Sequence, residues 1–473
     1  GNTVRYQYDS WDHLVSVTIN EGAFRRFSYD VSGRMTEVQD FDGGTYQVTY
    51  DDMGRPESVR DKEGRVSRRE YDLAGNVAAE IFPSGEMVSY EYDRENRLTK
   101  EKHTAEGGQE AGIIVDYAYD PAGNLLKVEA GDGKKVLSVT SYEYDVLNRV
   151  VAVTDPAGGK TLYSYDRYSG RVSGITDPMG NRRRYCYDAA GELTEETDIK
   201  GNATRYTYDI FGKLTSVTDG AGRTTEYSYL PGGRLVKVVY PDGRQTGYEY
   251  DSIGQIKRRT DNTGYSVSFF YDSMGRIQKT AGSDGQEKAY TYDMAGHVTS
   301  VTDALGNRTE YAYTPGGKLR EVLDALGNRT EYTYDMADRL ISVCQHGDPE
   351  ADRITEYVRN GFGQVVCVRD AAGREEFYSY DVLGRMTENT DRDGLRTAYT
   401  YTPDGRTESI LYDDGRKVEF RYTPLGQPDL VREWLGETRI ERNCYGEPVS
   451  ITDHAGRTVR YEWGSMGERR CVA

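Results

Sequence analysis

The chain has 473 residues, with 60 lysines and arginines against 78 aspartates and glutamates and a formal charge of −18. That balance opposes an electrostatic grip on nucleic acid or on an anionic membrane surface, and no apolar run approaches the roughly 20 residues of a membrane span. Five scattered cysteines, Cys186, Cys344, Cys367, Cys444 and Cys471, show neither paired disulfide spacing nor a CxxC metal motif.

From the first residues onward one pattern recurs, Tyr-x-Tyr-Asp-x-x-Gly-Arg-Leu-x-x-Val-x-Asp-x-x-Gly. Taking its second tyrosine as anchor, copies fall at Tyr8, Tyr29, Tyr50, Tyr71, Tyr92, Tyr119, Tyr144, Tyr165, Tyr187, Tyr208, Tyr229, Tyr250, Tyr271, Tyr292, Tyr313 and Tyr334. They continue at Tyr380, Tyr401 and Tyr422, with degenerate copies centred on Arg359, Arg442 and Trp463. Of the 21 intervals between these 22 anchors, 16 are 21 residues long and the others are 20, 22, 25, 25 and 27. A fixed period of this kind means an array of supersecondary units, each packed on its neighbours. The array is expected to fill residues 1–473, with regular copies over 1–358 and more degenerate ones over 359–473.

Within a copy, residues 223–229 (Arg-Thr-Thr-Glu-Tyr-Ser-Tyr) alternate with period two, placing Tyr227 and Tyr229 on one face of a strand. A turn of the Asp-x-x-Gly type follows each anchor, as in Asp209-Ile210-Phe211-Gly212. Then come a second strand over 213–218 and a second such turn, Asp219-Gly220-Ala221-Gly222. Aspartate bonds backbone amides two residues on, and glycine supplies positive φ at the exit. Each copy therefore reads as a β-hairpin, and successive hairpins as one antiparallel ribbon. Leu214 and Val217 differ in parity, so either both faces are partly buried or a bulge resets the register. Some 44 strands at about 4.8 Å make roughly 210 Å of sheet, which twist should coil into a spiral or shell wall. The tyrosine rows are expected to form cross-strand aromatic ladders worth about 0.2–1 kcal/mol per pair. Longer copies place additions around 101–115, 130–139 and 345–353, read as elongated tips.

Several local motifs imitate functional sites. Gly158-Gly159-Lys160-Thr161 lacks the leading glycine of a phosphate loop, where Thr154 stands, and occupies a hairpin turn. Asp40-Phe41-Asp42-Gly43 and Asp391-Arg392-Asp393-Gly394 start like calcium loops without the spaced ligands that follow. The five histidines, His13, His103, His297, His346 and His454, lie in different copies, and His297 fills the slot that arginine holds elsewhere. Asn202, Asn307 and Asn328 begin Asn-x-Thr sequons but sit at turn positions. No serine or cysteine has a base arranged beside it. The reading is therefore no enzyme, no catalytic residue, no cofactor and no metal ligand.

The stretch Tyr208-Asp209-Ile210-Phe211-Gly212-Lys213-Leu214-Thr215-Ser216-Val217-Thr218-Asp219 resembles the YD repeat of the bacterial Rhs (rearrangement hotspot) family. The same repeat occurs in the C component of insecticidal toxin complexes, in wall-associated protein A types and in the animal teneurins. The resemblance covers essentially the whole chain. It implies an all-β fold, a ribbon of tandem hairpins spiralling into a hollow shell or part of one. In bacterial members that shell encloses a C-terminal polymorphic toxin, which catalytic aspartates in a following core segment cut free. Asp155-Pro156-Ala157-Gly158 and Asp177-Pro178-Met179-Gly180 look superficially like parts of that segment, but both stand at ordinary turn positions, so no catalytic residue is carried over.

The resemblance thus implies a structural wall around a cargo or toxin domain of the same polypeptide, secreted or held at a bacterial surface. A secretion apparatus or a cell-surface glycan is a further possible partner. The rival is a surface adhesin or carbohydrate-binding repeat module using the tyrosines as sugar platforms.

Overall fold

The computed structural model describes residues 3–19, 23–105, 111–347 and 351–472. These residues form 44 strands, from Val4–Tyr8 to Arg469–Val472, and the recorded pairings are antiparallel and join consecutive strands. The fold is all-β, a tandem array of hairpins, as the period implied. Degenerate copies keep it: Arg353–Arg359 pairs with Val365–Arg369, and Gly436–Arg442 with Pro448–Thr452.

Each copy contains two kinds of turn, on opposite margins of the ribbon. The first follows the anchor. Asp209 N–H donates to Lys213 O at 2.9 Å and Gly212 N–H to Asp209 O at 3.0 Å. Asp209 Oδ1 accepts the amides of Phe211 and Lys213 at 2.8 and 2.9 Å. Gly212 has φ 76°, a left-handed value that costs an ordinary L-residue about 1–2 kcal/mol. At Asp12, Asn96, Asn148 and Asp338 a short polar residue takes this conformation instead. The second turn repeats the scheme at Asp219, whose Oδ1 accepts from Ala221 and Arg223.

The parity conflict is settled by a bulge. Tyr208 pairs with Leu214 while Thr207 pairs with Ser216, leaving Thr215 as an extra residue. Leu214 and Val217, the latter opposite Tyr206, thereby share the tyrosine face. The same shift recurs at the anchors of other copies, from Tyr8 to Trp463. The second hairpin, Thr218 against Thr224, has no shift.

In many copies the residue directly after the bulge is buried. Ser16, Ala79, Ala152, Ser300, Ser409 and Ser450 all hold this place on the face away from the tyrosines. Its hydroxyls bond across the pair, as Ser300 Oγ does with Thr291 Oγ1 at 2.7 Å. On the other face Tyr206 and Tyr208 are half-buried, while Arg205 and Thr207 are exposed.

The chain divides into two compact units, Gly1–Gly112 with Glu249–Phe377, and Ile113–Tyr248 with Tyr378–Ala473. The tip additions behave differently from one another. Around 130–139 the strands Leu125–Gly131 and Val136–Tyr144 lengthen, and Asp132 Oδ1 accepts the amides of Lys134 and Lys135. Around 101–115, Leu98–Thr104 and Ala111–Tyr119 run 7 and 9 residues, with 106–110 outside the described residues. Of the third addition, 348–350 lie outside them.

Candidate functional surface

The residue after the first-turn glycine links one copy to the next. Arg55 Nε donates to Asp51 Oδ2 at 2.7 Å, and its guanidinium lies 4.4 Å from the ring centre of Tyr71, the next anchor. Tyr71 in turn donates its hydroxyl to Pro56 O at 2.7 Å. The same stack joins Arg34 to Tyr50 at 4.7 Å, Arg149 to Tyr165 at 4.4 Å and Arg276 to Tyr292 at 4.6 Å. His13 and His297 take the arginine slot, each stacking 4.7 Å from Tyr29 or Tyr313 and bonding Asp9 or Asp293. In these copies the expected aromatic ladder is therefore a mixed one, in which a guanidinium or an imidazole alternates with a tyrosine ring. A guanidinium packs face-on against a phenol and keeps its edge for the carboxylate, which a second phenol could not do.

Electrostatics follow from this arrangement. The Arg55 backbone amide, foremost, and its guanidinium hold the Asp51 carboxyl below the ordinary value of 3.8. Burial pushes the anchor phenols of Tyr165 and Tyr292 above 10. Asp40 is opposed by burial, yet hydrogen bonds from Arg25 and Lys62 bring it down to about 2.

The two margins of the ribbon also meet each other. In the first unit, the second-type turn at 61–65 contacts first-type turns much later in the chain. Glu63 Oε1 accepts the Gly316 amide at 2.9 Å, and Arg65 Nη1 and Nη2 donate to Asp338 at 2.5 and 3.2 Å. Glu86, in the next second-type turn, accepts from Arg339 at 2.6 Å. The second unit repeats the rule. Asn181 Nδ2 donates to Cys444 O at 2.7 Å, Lys200 pairs with Glu447, and Asn202 Nδ2 donates to Ser465 O at 2.8 Å. Pro156 and Pro178 face Pro403 and Pro424 across a cleft with the same polarity. These contacts span 247 to 273 residues, about a dozen copies. In each of these contacts a second-type turn of an earlier stretch meets a first-type turn of a later one.

The RHS repeat family model matches residues 8–45, 71–109, 119–160, 144–182, 165–198, 187–224 and 211–245, and the teneurin YD-shell model matches 258–362. Together these matches cover well over half of the chain. The chain belongs to the Rhs/YD-repeat family.

Two solved structures agree with this YD-repeat fold. A crystal structure of TcdB2-TccC3-Cdc42 aligns with a TM-score of 0.53 at 13% identity, covering 100% of this chain and 34% of that one. A crystal structure of TcdB2-TccC3 gives 0.52 at 13% identity with the same coverage. The chain thus spans about a third of the length of those proteins, and at this identity the likeness concerns the fold. No curated protein sequence matches the chain.

Against the YD-repeat frame the imitation motifs take structural roles. Asp155 Oδ1 accepts the Ala157 and Gly159 amides, so the Gly158-Gly159-Lys160 turn spends its donors on its own aspartate. Asp391 Oδ1 does the same with Asp393 and Leu395. Asp40 and Asp42 both bind Lys62 Nζ, at 3.0 and 2.6 Å. Asn202, Asn307 and Asn328 bond Asp198, Asp303 and Asp324 within their turns. His103 bonds Glu101 at 2.6 Å. One constellation went unmarked in the sequence: Cys344, His346 and Asp352 offer ligand atoms within 4.8 Å of one another. The signal for it was Cys344-x-His346, two donors on one face at the end of a strand.

Proposed function

We propose that the chain is part of the wall of an Rhs-type shell that houses a toxin or other cargo polypeptide of the same protein, secreted or carried at a bacterial surface for delivery. The observation that carries this reading is the polarised meeting of the two margins. A ribbon whose second-type turns recognise first-type turns a dozen copies later can lay one pass against the next and close the gap between them. A lone adhesive ribbon has no use for such a seam. The family repeat is a structural shell element, and the role proposed here is correspondingly non-enzymatic. The carbohydrate-platform alternative gains nothing from anchors such as Tyr71 and Tyr29, whose rings are covered by arginine or histidine and whose hydroxyls are bonded to carbonyls.

The test is limited proteolysis of the full-length protein. The cargo segment is expected to survive while the repeats are intact, and to be cleaved once Arg65→Glu and Arg339→Glu open the seam. Circular dichroism checks that the variant keeps its strands. A cargo segment digested equally fast with and without the repeats overturns the reading.

A further inference from the structure

From the convergence of Cys344, His346 and Asp352 we infer a binding site for a zinc-type transition-metal ion at the base of the 346–352 tip. The ribbon itself builds the site. Cys344 lies in Leu340–Gln345 and Asp352 immediately precedes Arg353–Arg359, and these strands pair with Gln345 opposite Arg353. The His346 amide donates to Arg329 O at 2.9 Å, fixing the chain where the imidazole leaves it. Three donor types then converge. Cys344 Sγ is 3.9 Å from His346 Nδ1, and His346 Nδ1 is 3.1 Å from Asp352 Oδ2. Ligands around a tetrahedral zinc, with bonds of about 2.0–2.3 Å, stand roughly 3.3–3.6 Å apart. Small rotations of the side chains bring these three to that spacing.

The other ring nitrogen supports the same reading. His346 Nε2 is buried and makes no hydrogen bond, yet Glu331 Oε2 stands 3.3 Å away. Glu331 is paired directly opposite Cys344 in the preceding strand. A carboxylate on the far nitrogen is the outer partner that orients a metal-bound imidazole and fixes its tautomer. Asp352 keeps its second oxygen for the Gly347 amide at 3.3 Å, which orients the carboxylate.

A nucleophilic cysteine fits less well. Asp352, at 3.1 Å, occupies the Nδ1 that Cys344, at 3.9 Å, would need as its base. Burial, with Asp352 and Glu331 nearby, also pushes the Cys344 thiol up, away from a free thiolate. A metal reverses that balance by displacing the thiol proton, while a ring proton on Nδ1 shifts to Nε2 facing Glu331, so uptake should release a proton and weaken at low pH. Sulfur and nitrogen donors favour zinc or its neighbours over calcium and magnesium. Three protein ligands leave one position for water. The site joins both ends of the tip and is independent of what the wall encloses.

Chelator-stripped chain is titrated with zinc against a chromophoric indicator. One zinc per chain is expected, with affinity about tenfold or more weaker in Cys344→Ser and His346→Ala, and about tenfold weaker in Glu331→Gln. Cobalt should give a thiolate-to-metal absorption band that Cys344→Ser lacks and Cys444→Ser keeps. Circular dichroism should be unchanged in every variant. The inference is overturned if the stripped chain takes up no zinc, or if uptake and the cobalt band survive Cys344→Ser.

Discussion

The copy anchored on Tyr271 and the copy anchored on Arg442 differ at the residue that defines the repeat, yet they make the same bond. Tyr271 donates its hydroxyl to Ile256 O at 2.8 Å. Arg442 sends Nε and Nη2 to Pro428 O at 3.1 and 3.0 Å. Arg359 reaches Leu340 O at 2.9 Å, and Trp463 uses Nε1 on Pro448 O at 2.7 Å. What the position requires is a donor at the far end of a long flat side chain, reaching the carbonyl at which the previous copy begins its bulge. Phenol is the usual solution, and guanidinium and indole are equivalents. The arginines add a bond of their own, to Gly363 O and Gly446 O, each at 2.8 Å across the following turn. Their turns also change, because Asn360 and Asn443 replace the aspartate and accept the same two amides.

Acid should separate the two kinds of copy most strongly. In regular first turns the carboxyls of Asp51, Asp93 and Asp272 sit below 3.8 in the folded chain. Their stabilisation is complete above that value and drains as pH falls through the depressed folded values, and in a second-type turn Asp40 carries the same dependence down to about 2. Asn360 and Asn443 carry no such dependence. Circular dichroism should show cooperative loss of structure between pH 4 and 2, and pepsin should cut the first turns of regular copies before those at 360–364 and 443–447. Uniform cleavage would break the distinction.

A smaller effect is expected from the substitute anchor. Arg442→Leu removes all three bonds and should cost about 2–3 kcal/mol in urea unfolding, in the range of charge-assisted hydrogen bonds left unpaired. Arg442→Tyr should recover about 1 kcal/mol of the loss by restoring the phenol bond, and no recovery would mean that the two anchors are not equivalent. The smallest effect is Tyr271→Phe, which keeps the ring and deletes one hydrogen bond, at about 1 kcal/mol. A loss near that of Arg442→Leu would show that the hydroxyl does more than bond Ile256 O.

The local half of this structure is legible in the sequence, and the long-range half is not. Hairpins, both Asp-x-x-Gly turns and the shared face of Tyr227 and Tyr229 follow from period and turn chemistry, which act within a few residues. The bulge at Thr215 was visible only as a conflict between Leu214 and Val217, since either resolution suited the letters. The cation between successive rings was hidden because Arg55 and Tyr71 are 16 positions apart and meet only after two strands have paired. The meeting of Arg65 with Asp338 could not be read at all, because near-identical copies give no hint of which one lies opposite which. The grouping of Cys344, His346 and Asp352 depends on a chain reversal that the spacing alone does not reveal.

The polarised margins make hairpin number a counted quantity. Lengthening a tip away from the margin contacts leaves Arg65 opposite Asp338 and Lys200 beside Glu447. Losing one 21-residue copy between such partners instead shifts every later acceptor by two strand widths, about 10 Å. A protein built this way should tolerate insertions of arbitrary length at its tips, while whole-copy deletions between margin partners should be tolerated only with compensating changes on the opposite margin.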